Sequence, residues 1–282
     1  MIEFWKMSGA GNDFILFDNR SGELKGDIGE VVRRICTRAL SVGADGAILA
    51  ERSAKPGADV RMFYWNSDGR PASFCANGAR CLARFAVKKG IARGPKVRLE
   101  TDAGTIEAQV HDDGRVTLPI PGPYDIVSHK PIRVDTLQLE GSFAIVGVPH
   151  YVLPVKNLWK DGIEELGRKI RRHADFEPEG ANVDFVTVKA RDTVQIRTYE
   201  RGVERETLSC GSGCVAAALC LARLGEVESP VTLKTRSGID LTVAWLGGGG
   251  DVTDVRLTGD ARLIFQGFLE DEAAAGFPLP ER

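Results

Sequence analysis

Cys75-Ala76-Asn77-Gly78-Ala79-Arg80-Cys81-Leu82-Ala83-Arg84-Phe85-Ala86-Val87 and Cys210-Gly211-Ser212-Gly213-Cys214-Val215-Ala216-Ala217-Ala218-Leu219-Cys220-Leu221-Ala222 share one plan. Each opens on a cysteine, passes through a short segment of small residues, and enters an apolar run with helical spacing. The first run uses Ala79, Leu82, Ala83, Ala86 and Val87, the second Val215, Ala218, Leu219 and Ala222. Each closes on a glycine fifteen residues past its cysteine, Gly90 and Gly225. A glycine there fits the left-handed residue that stops a helix.

The likeness extends outward. Val60–Asn66 and Val194–Glu200 are β-branched and aromatic runs that end on a polar residue, as strands do. Cys75 follows Asn66 by nine residues and Cys210 follows Glu200 by ten. Val97-Arg-Leu-Glu-Thr-Asp-Ala-Gly104 parallels Val231-Thr-Leu-Lys-Thr-Arg-Ser-Gly238. The offset is 135 at the cysteines and closing glycines and 134 at these strands. A fainter echo pairs Gly11-Asn12-Asp13-Phe14 with Pro149-His150-Tyr151, and Ala44-Asp45-Gly46 with Val183-Asp184-Phe185. The expected fold is therefore α+β, with two pseudo-symmetric halves from an internal duplication. Each half is a mostly antiparallel β-structure wrapped around a central helix. The first half spans 1–118 and carries Cys75. Pro119, Pro121, Gly122 and Pro123 break the chain after it. The second half spans 119–261 and carries Cys210, and 262–282 returns to the first. Ala273–Gly276 reads as a frayed end.

A chain of 282 residues with 43% apolar and 27% charged residues can bury a core without disulfides or metals. A net charge of −2 offers no footprint for nucleic acid or an anionic membrane. No stretch is apolar for the roughly 18 residues a membrane span needs. Met1-Ile2-Glu3-Phe4-Trp5-Lys6 lacks the basic and apolar regions of a secretory leader. The expected setting is the cytoplasm, where the six cysteines are reduced thiols. Cys36, Cys81, Cys214 and Cys220 sit in plain apolar contexts and read as small core residues.

Cys75 and Cys210 read differently. A thiol at a helix N-terminus feels the positive end of the dipole, which lowers its pKa to as little as roughly 3.5–7.5. The small residues that follow let backbone N–H groups approach an anion. Two such sites related by duplication, one on each side of a shared cleft, suit inversion of an amino-acid stereocentre. One thiolate removes the Cα proton and the opposite thiol supplies another. Two helix ends aimed at the substrate carboxylate stabilise the charge that develops on it. Neither pyridoxal phosphate nor a metal is needed. Gly247–Gly250 lacks the lysine of a phosphate loop and reads as a turn. A four-sulfur zinc site from Cys75, Cys81, Cys210 and Cys214 is the non-enzymatic alternative, but the spacings are not those of zinc ribbons.

In these residues the chain resembles the diaminopimelate epimerases. The matching segments run in order along most of it: Lys6–Phe14, Asn66–Gly69, Cys75–Cys81, Pro149-His150, Ala181–Val183, Tyr199–Gly202 and Cys210–Gly213. The resemblance implies an isomerase that interconverts LL- and meso-diaminopimelate, on the route to lysine and peptidoglycan, usually as a homodimer. It assigns Cys75 and Cys210 as the acid/base thiols and the backbone of Ala76, Asn77, Gly211 and Ser212 as the cradle of the reacting carboxylate. Asn12, Asn66, Asn182, Glu200 and Arg201 match substrate-binding positions, and His150 and Glu200 match groups that tune the thiols. A guanidinium such as that of Arg201 also suits a carboxylate on general grounds. Asn66-Ser-Asp-Gly reads equally as a turn. Four departures stand out: Val148 where many members have asparagine, Gly46 where some have glutamine, Ala76 where glycine often follows the first cysteine, and one residue more near Glu204-Arg205. The other reading on the same fold is a two-thiol racemase of another amino acid.

Overall fold

The computed structural model describes residues 1–122, 124–159, 162–248 and 252–275. Pro123, Gly249, Gly250 and Gly276, which figure in the expectations above, lie outside them. The chain forms two compact units, Met1–Leu118 with the described part of Gly259–Arg282, and Pro119–Thr258.

The first unit holds β1 (Ile2–Gly9), β2 (Asn12–Asp18), α1 (Ile28–Ile35), β3 (Gly46–Glu51), β4 (Val60–Asn66), β5 (Pro71–Ala72), α2 (Ala76–Lys88), β6 (Lys96–Thr101), β7 (Gly104–Val110) and β8 (Val116–Pro119). The second holds β9 (Val127–Val134), β10 (Leu137–Val146), β11 (Val148–Pro154), α3 (Ile163–Arg171), β12 (Asn182–Ala190), β13 (Thr193–Glu200), β14 (Arg205–Thr207), α4 (Gly211–Arg223), β15 (Val231–Lys234), β16 (Asp240–Leu246) and β17 (Thr253–Gly259). The last strand, β18 (Arg262–Leu269), returns to pair antiparallel with β1 in the first unit.

The two units repeat one strand order. In the first, β2–β3 and β4–β6 are parallel, and β1–β2, β3–β4, β6–β7 and β7–β8 are antiparallel. In the second, β11–β12 and β13–β15 are parallel, and β10–β11, β12–β13, β15–β16 and β16–β17 are antiparallel. Antiparallel pairs predominate, and the α+β fold with its duplication is as the sequence led us to expect.

Each unit closes around its helix. Leu82, Ala83, Phe85 and Ala86 of α2 are buried, and α4 buries every residue from Gly213 to Leu221. A helix apolar on all sides is stable only when strands cover it all round. Each fully buried Leu or Phe contributes roughly 1.5–3 kcal/mol relative to exposure, so these helices are major anchors of their cores. Both helices stop alike. Gly90 donates to Val87 O and Ile91 to Ala86 O; Gly225 donates to Ala222 O and Glu226 to Leu221 O. Gly90 and Gly225 take φ of 69° and 74°, the left-handed conformation that closes this motif.

The ladders fix which positions correspond. Val60 faces Leu99 and Arg61 faces Glu100, while Val194 faces Leu233 and Gln195 faces Lys234. The same register carried upstream corrects the fainter echo. Phe14 faces Gly46, and His150 faces Asn182. Gly46 faces Asn66, and the β12–β13 ladder, pairing Val183 with Tyr199, brings Asn182 opposite Glu200. Phe14 therefore corresponds to His150, Gly46 to Asn182 and Asn66 to Glu200. The counterpart of Asp184 is Ile48, not Asp45. Phe14 and His150, Gly46 and Asn182, and Ile48 and Asp184 differ in chemistry, so matching by residue type slid the upstream echo, whereas the pairing of Asn66 with Glu200 at the strand ends holds.

Candidate active site

In the first unit, Cys75 is the extended residue before α2, with φ −144° and ψ 113°, and its side chain makes no cap hydrogen bond. It is half-buried. Its Sγ lies 3.8 Å from Asn12 Oδ1, which also accepts from Asn77 Nδ2 at 3.4 Å. Asn12 is held in turn by donating to Asp45 at 2.8 Å. Asn77 is held by the buried Arg80, which donates to its Oδ1 at 2.8 Å and to Asp260 O at 3.1 Å. Asn12, Cys75, Ala76 and Asn77 thus form one cluster around the first turn of α2. Asn66 has two roles. Its backbone closes a turn with Gly69 and Arg70, and its Oδ1 accepts from Tyr64 Oη at 2.7 Å.

In the second unit the counterpart cluster is deeper and more connected. Cys210 is 8% exposed, and its Sγ accepts the Gly213 N–H at 3.4 Å, capping α4 itself. Ser212 Oγ lies 3.4 Å from Sγ and 3.0 Å from His150 Nε2. The other ring nitrogen, Nδ1, lies 2.7 Å from Asp184 Oδ2, and both of these side chains are fully buried. Thr198 donates to Asp184 Oδ1 at 2.7 Å. Asn182 Nδ2 stands 3.4 Å from His150 Nε2, and its Oδ1 accepts the Arg201 backbone N–H at 2.7 Å. Glu200 accepts from Thr207 at 2.6 Å and is hydrogen-bonded by Cys210. The Arg201 guanidinium points to Glu179, at 2.8 Å. His150, Asn182, Glu200, Cys210, Gly211 and Ser212 therefore come together, with Arg201 joined through its backbone.

The electrostatics correct one expectation. Burial pushes the Cys210 thiol well above its ordinary range, and the Glu200 and Asp184 charges push it further. The Ser212 and Gly213 hydrogen bonds pull the other way and lose. Removal from water, the largest cause, outweighs the favourable hydrogen bonds at this helix end, so the shift runs upward and not downward as the helix position led us to expect. Burial likewise raises Glu200 above the usual carboxyl range, partly offset by its bonds from Thr207 and Cys210. Cys36 and Cys220 are core thiols pushed up to about 12, and burial raises Cys81 too. Cys214 is buried as well.

Asp184 and Thr198 entered the sequence reading only as strand residues. Alternation along β12 places Asn182 and Asp184 on one face, a polar pair amid Val183, Phe185 and Val186 that could have drawn attention.

Comparison with known proteins follows the same lines. The family model described as diaminopimelate epimerase matches residues 4–124 and 142–264. A diaminopimelate epimerase of Aquifex aeolicus is 42% identical, over 96% of this chain and 99% of its own. One of Archaeoglobus fulgidus is 40% identical, over 95% and 96%. Among solved structures, a probable proline racemase of Agrobacterium radiobacter has a TM-score of 0.72 at 18% identity, covering 99% of this chain and 97% of its own. A hydroxyproline epimerase of Agrobacterium vitis has 0.71 at 17%, covering 94% and 91%; these two carry the fold alone. On its two family-model matches and its near full-length relatives, the chain belongs to the diaminopimelate epimerase family.

Proposed function

We propose that this protein epimerises LL-diaminopimelate to meso-diaminopimelate, supplying lysine and peptidoglycan synthesis. The observation that carries the reading is full-length identity of about two in five residues to diaminopimelate epimerases, in a chain that keeps a cysteine before each central helix. One thiolate takes the Cα proton and the other thiol returns one on the opposite face. The raised pKa of Cys210 fits the thiol that donates in one direction. Backbone N–H groups of Ala76 and Asn77, and of Gly211 and Ser212, lie in first helical turns, where four N–H groups lack helical acceptors and suit a carboxylate gaining charge. Asn12, Asn66, Asn182, Glu200 and Arg201 hold the rest of the substrate, and Arg201 exchanges Glu179 for a substrate carboxylate. His150 and Glu200 tune Cys210. The scheme needs neither pyridoxal phosphate nor a metal.

A homodimer in the cytoplasm completes the reading. Ile264, Phe265 and Phe268 of β18 are exposed apolar residues suited to self-association. Among the described residues, no helix is long and apolar enough to cross a membrane. The test is incubation of the purified protein with LL-diaminopimelate in deuterium oxide. Formation of meso product carrying Cα deuterium is expected, and survival of activity after EDTA treatment goes with it. No turnover of diaminopimelate alongside turnover of proline or another amino acid would overturn the reading. Light scattering that gives a monomer mass would overturn the dimer.

A further inference from the structure

Asn12 and Asn77 each carry a side-chain amide that could sit either way round, its oxygen and nitrogen being alike in size. Their neighbours remove the choice. At one end Asp45 Oδ2 lies 2.8 Å from the Asn12 amide. A carboxylate only accepts, so Asn12 must turn its nitrogen toward Asp45. At the other end a guanidinium nitrogen of Arg80 lies 2.8 Å from the Asn77 amide. A guanidinium only donates, so Asn77 must turn its oxygen toward Arg80. The two amides then meet correctly in the middle, Asn77 Nδ2 donating to Asn12 Oδ1 at 3.4 Å. Every donor points the same way, from the cation of Arg80 to the carboxylate of Asp45, and each bond polarises the next.

Both ends are themselves fixed. Arg80 is fully buried and also donates to Asp260 O at 3.1 Å. Asp45 Oδ2 accepts the Asp13 backbone N–H at 3.2 Å, Asp45 Oδ1 accepts from Arg38 at 3.1 Å, and the Asp45 backbone N–H donates to Asp13 O at 2.9 Å. The sister unit shows that the strands and helix do not require this chain. In the register that matches Phe14 to His150 and Gly46 to Asn182, Asn12 corresponds to Val148 and Asp45 to Ala181. Counted from the two cysteines, Asn77 corresponds to Ser212 and Arg80 to Val215. The elements begin alike, β2 at Asn12 and β11 at Val148, α2 at Ala76 and α4 at Gly211. Burying a guanidinium costs free energy that a valine does not incur, so the polar chain has a use other than packing.

What the chain controls is one atom. Asn12 Oδ1 has two lone pairs; one takes the Asn77 N–H and the other faces Cys75 Sγ at 3.8 Å. With the amides reversed, an N–H group would stand there instead. We propose that Asp45 and Arg80 are positioning residues that lock the direction of the Asn12–Asn77 pair from its two ends, so that Asn12 meets the substrate with an oxygen, which suits an N–H donor and repels a carboxylate. The proposal deepens the functional reading above, in which Asn12 binds substrate, and rests on it.

The test uses stereoisomers of a diaminopimelate analogue with a β-halogen. Removal of the Cα proton expels halide and forms a C=C bond, so a single thiolate suffices, and each stereoisomer reports one thiol. A binding amide acts on ground and transition states alike, so loss of its direction should raise KM and leave kcat within about twofold. Asp45→Ala and Arg80→Val, which copy the second unit, should each raise KM about threefold with both isomers, the effect of one weakened hydrogen bond. Each leaves the other anchor to hold the direction. The double variant should therefore raise KM by more than the product of the two, above about tenfold. Asp45→Asn, which can still take the Asn12 N–H, should lie below Asp45→Ala. Side-chain nitrogen NMR should give one Asn12 amide signal in the unaltered protein and two in the double variant. Should the valine variant not fold, Arg80→Gln, whose amide both donates and accepts, takes its place. KM effects that merely multiply would make the two anchors independent and overturn the chain. So would a fall in kcat confined to the isomer that Cys75 deprotonates, with KM kept, since Asp45 and Arg80 would then seat the thiol and not the amide. Failure of the unaltered protein to act on diaminopimelate or on either isomer would instead overturn the functional reading.

Discussion

The two halves agree in strand order, ladder register, helix position and helix stop, yet they seat their cysteines in opposite surroundings. Under α2 the face is Phe14 and Ile48; under α4 it is His150 and Asp184. Cys75 is half-buried and leaves the cap of its helix unfilled, whereas Cys210 is buried and caps α4 through its sulfur. The duplication therefore preserved what positions each cysteine and changed the side chains around it. Under the two-thiol reaction proposed above such a difference is useful, because in each turnover one thiol must hold its proton while the other does not.

The largest effect should come from removing either thiol. Cys75→Ala and Cys210→Ala should each lose epimerisation by several orders of magnitude, since one acid/base group cannot invert a centre. With β-halogenated isomers, each variant should keep elimination of one stereoisomer, and the two should keep opposite ones. Near-normal epimerisation by either variant would break the comparison at its root.

A second contrast is steric. Gly78→Ala puts a methyl 2.8 Å from Ile48 Cδ1 and 3.2 Å from Met62 Cε, both ends of flexible side chains. Gly213→Ala puts it 2.3 Å from Asp184 Oδ1 and 3.3 Å from Thr198 Oγ1, groups fixed by hydrogen bonds. Overpacking of this kind costs about 1–3 kcal/mol. Gly213→Ala should fall at the upper end and Gly78→Ala at or below the lower one. Chemical denaturation would measure both, and a reversed order would mean the polar cluster yields more readily than the apolar one.

What the sequence revealed and hid follows the same division. The strands before each cysteine, the helices and their glycine stops were legible because periodicity and left-handed glycine are local. The cluster of Asn12, Cys75 and Asn77 was legible through resemblance. The correspondence of Phe14 with His150 was not, because an aromatic and an imidazole match only by ladder register. The sign of the Cys210 shift was also hidden. A helix end is visible in sequence, but the burial that overrides it comes from folding, with strands distant in sequence such as β10, β11 and β12 packing on α4. The ion pair of Arg201 with Glu179 is likewise a product of folding.

Glu200 sharpens the comparison through pH, since Asn66 holds the matching place in the first half and does not titrate. Burial is the leading cause of its raised pKa, so the folded state favours the protonated carboxyl. A group with a raised folded pKa gives its full stabilisation below the unfolded value, about 4.3, and loses it as pH rises through the folded value. Glu200→Gln keeps the neutral form throughout. Its melting temperature relative to the unaltered protein should therefore rise as pH increases above about 4.3, while kcat falls and the pH profile shifts. A melting difference that is flat with pH would show that the carboxyl titrates normally.

The smallest effects should come from the cysteines outside the candidate site. Cys36, Cys81, Cys214 and Cys220 are buried, and burial raises the pKa of Cys36, Cys81 and Cys220, so those three stay protonated near neutrality and cannot act as bases. Replacing Cys36, Cys81 or Cys214 by alanine removes one sulfur from a close-packed core, at a cost of about 1 kcal/mol each. Both α2 and α4 carry such cysteines, Cys81 in one and Cys214 in the other, so the pair controls for position within each half. Epimerisation with Cys81→Ala and Cys214→Ala should stay within about twofold of the unaltered protein, with midpoints of denaturation slightly lowered in both. If Cys214→Ala alone lost activity, the environment of Cys210 would reach one residue further along α4 than its hydrogen bonds to Ser212 and Gly213 indicate.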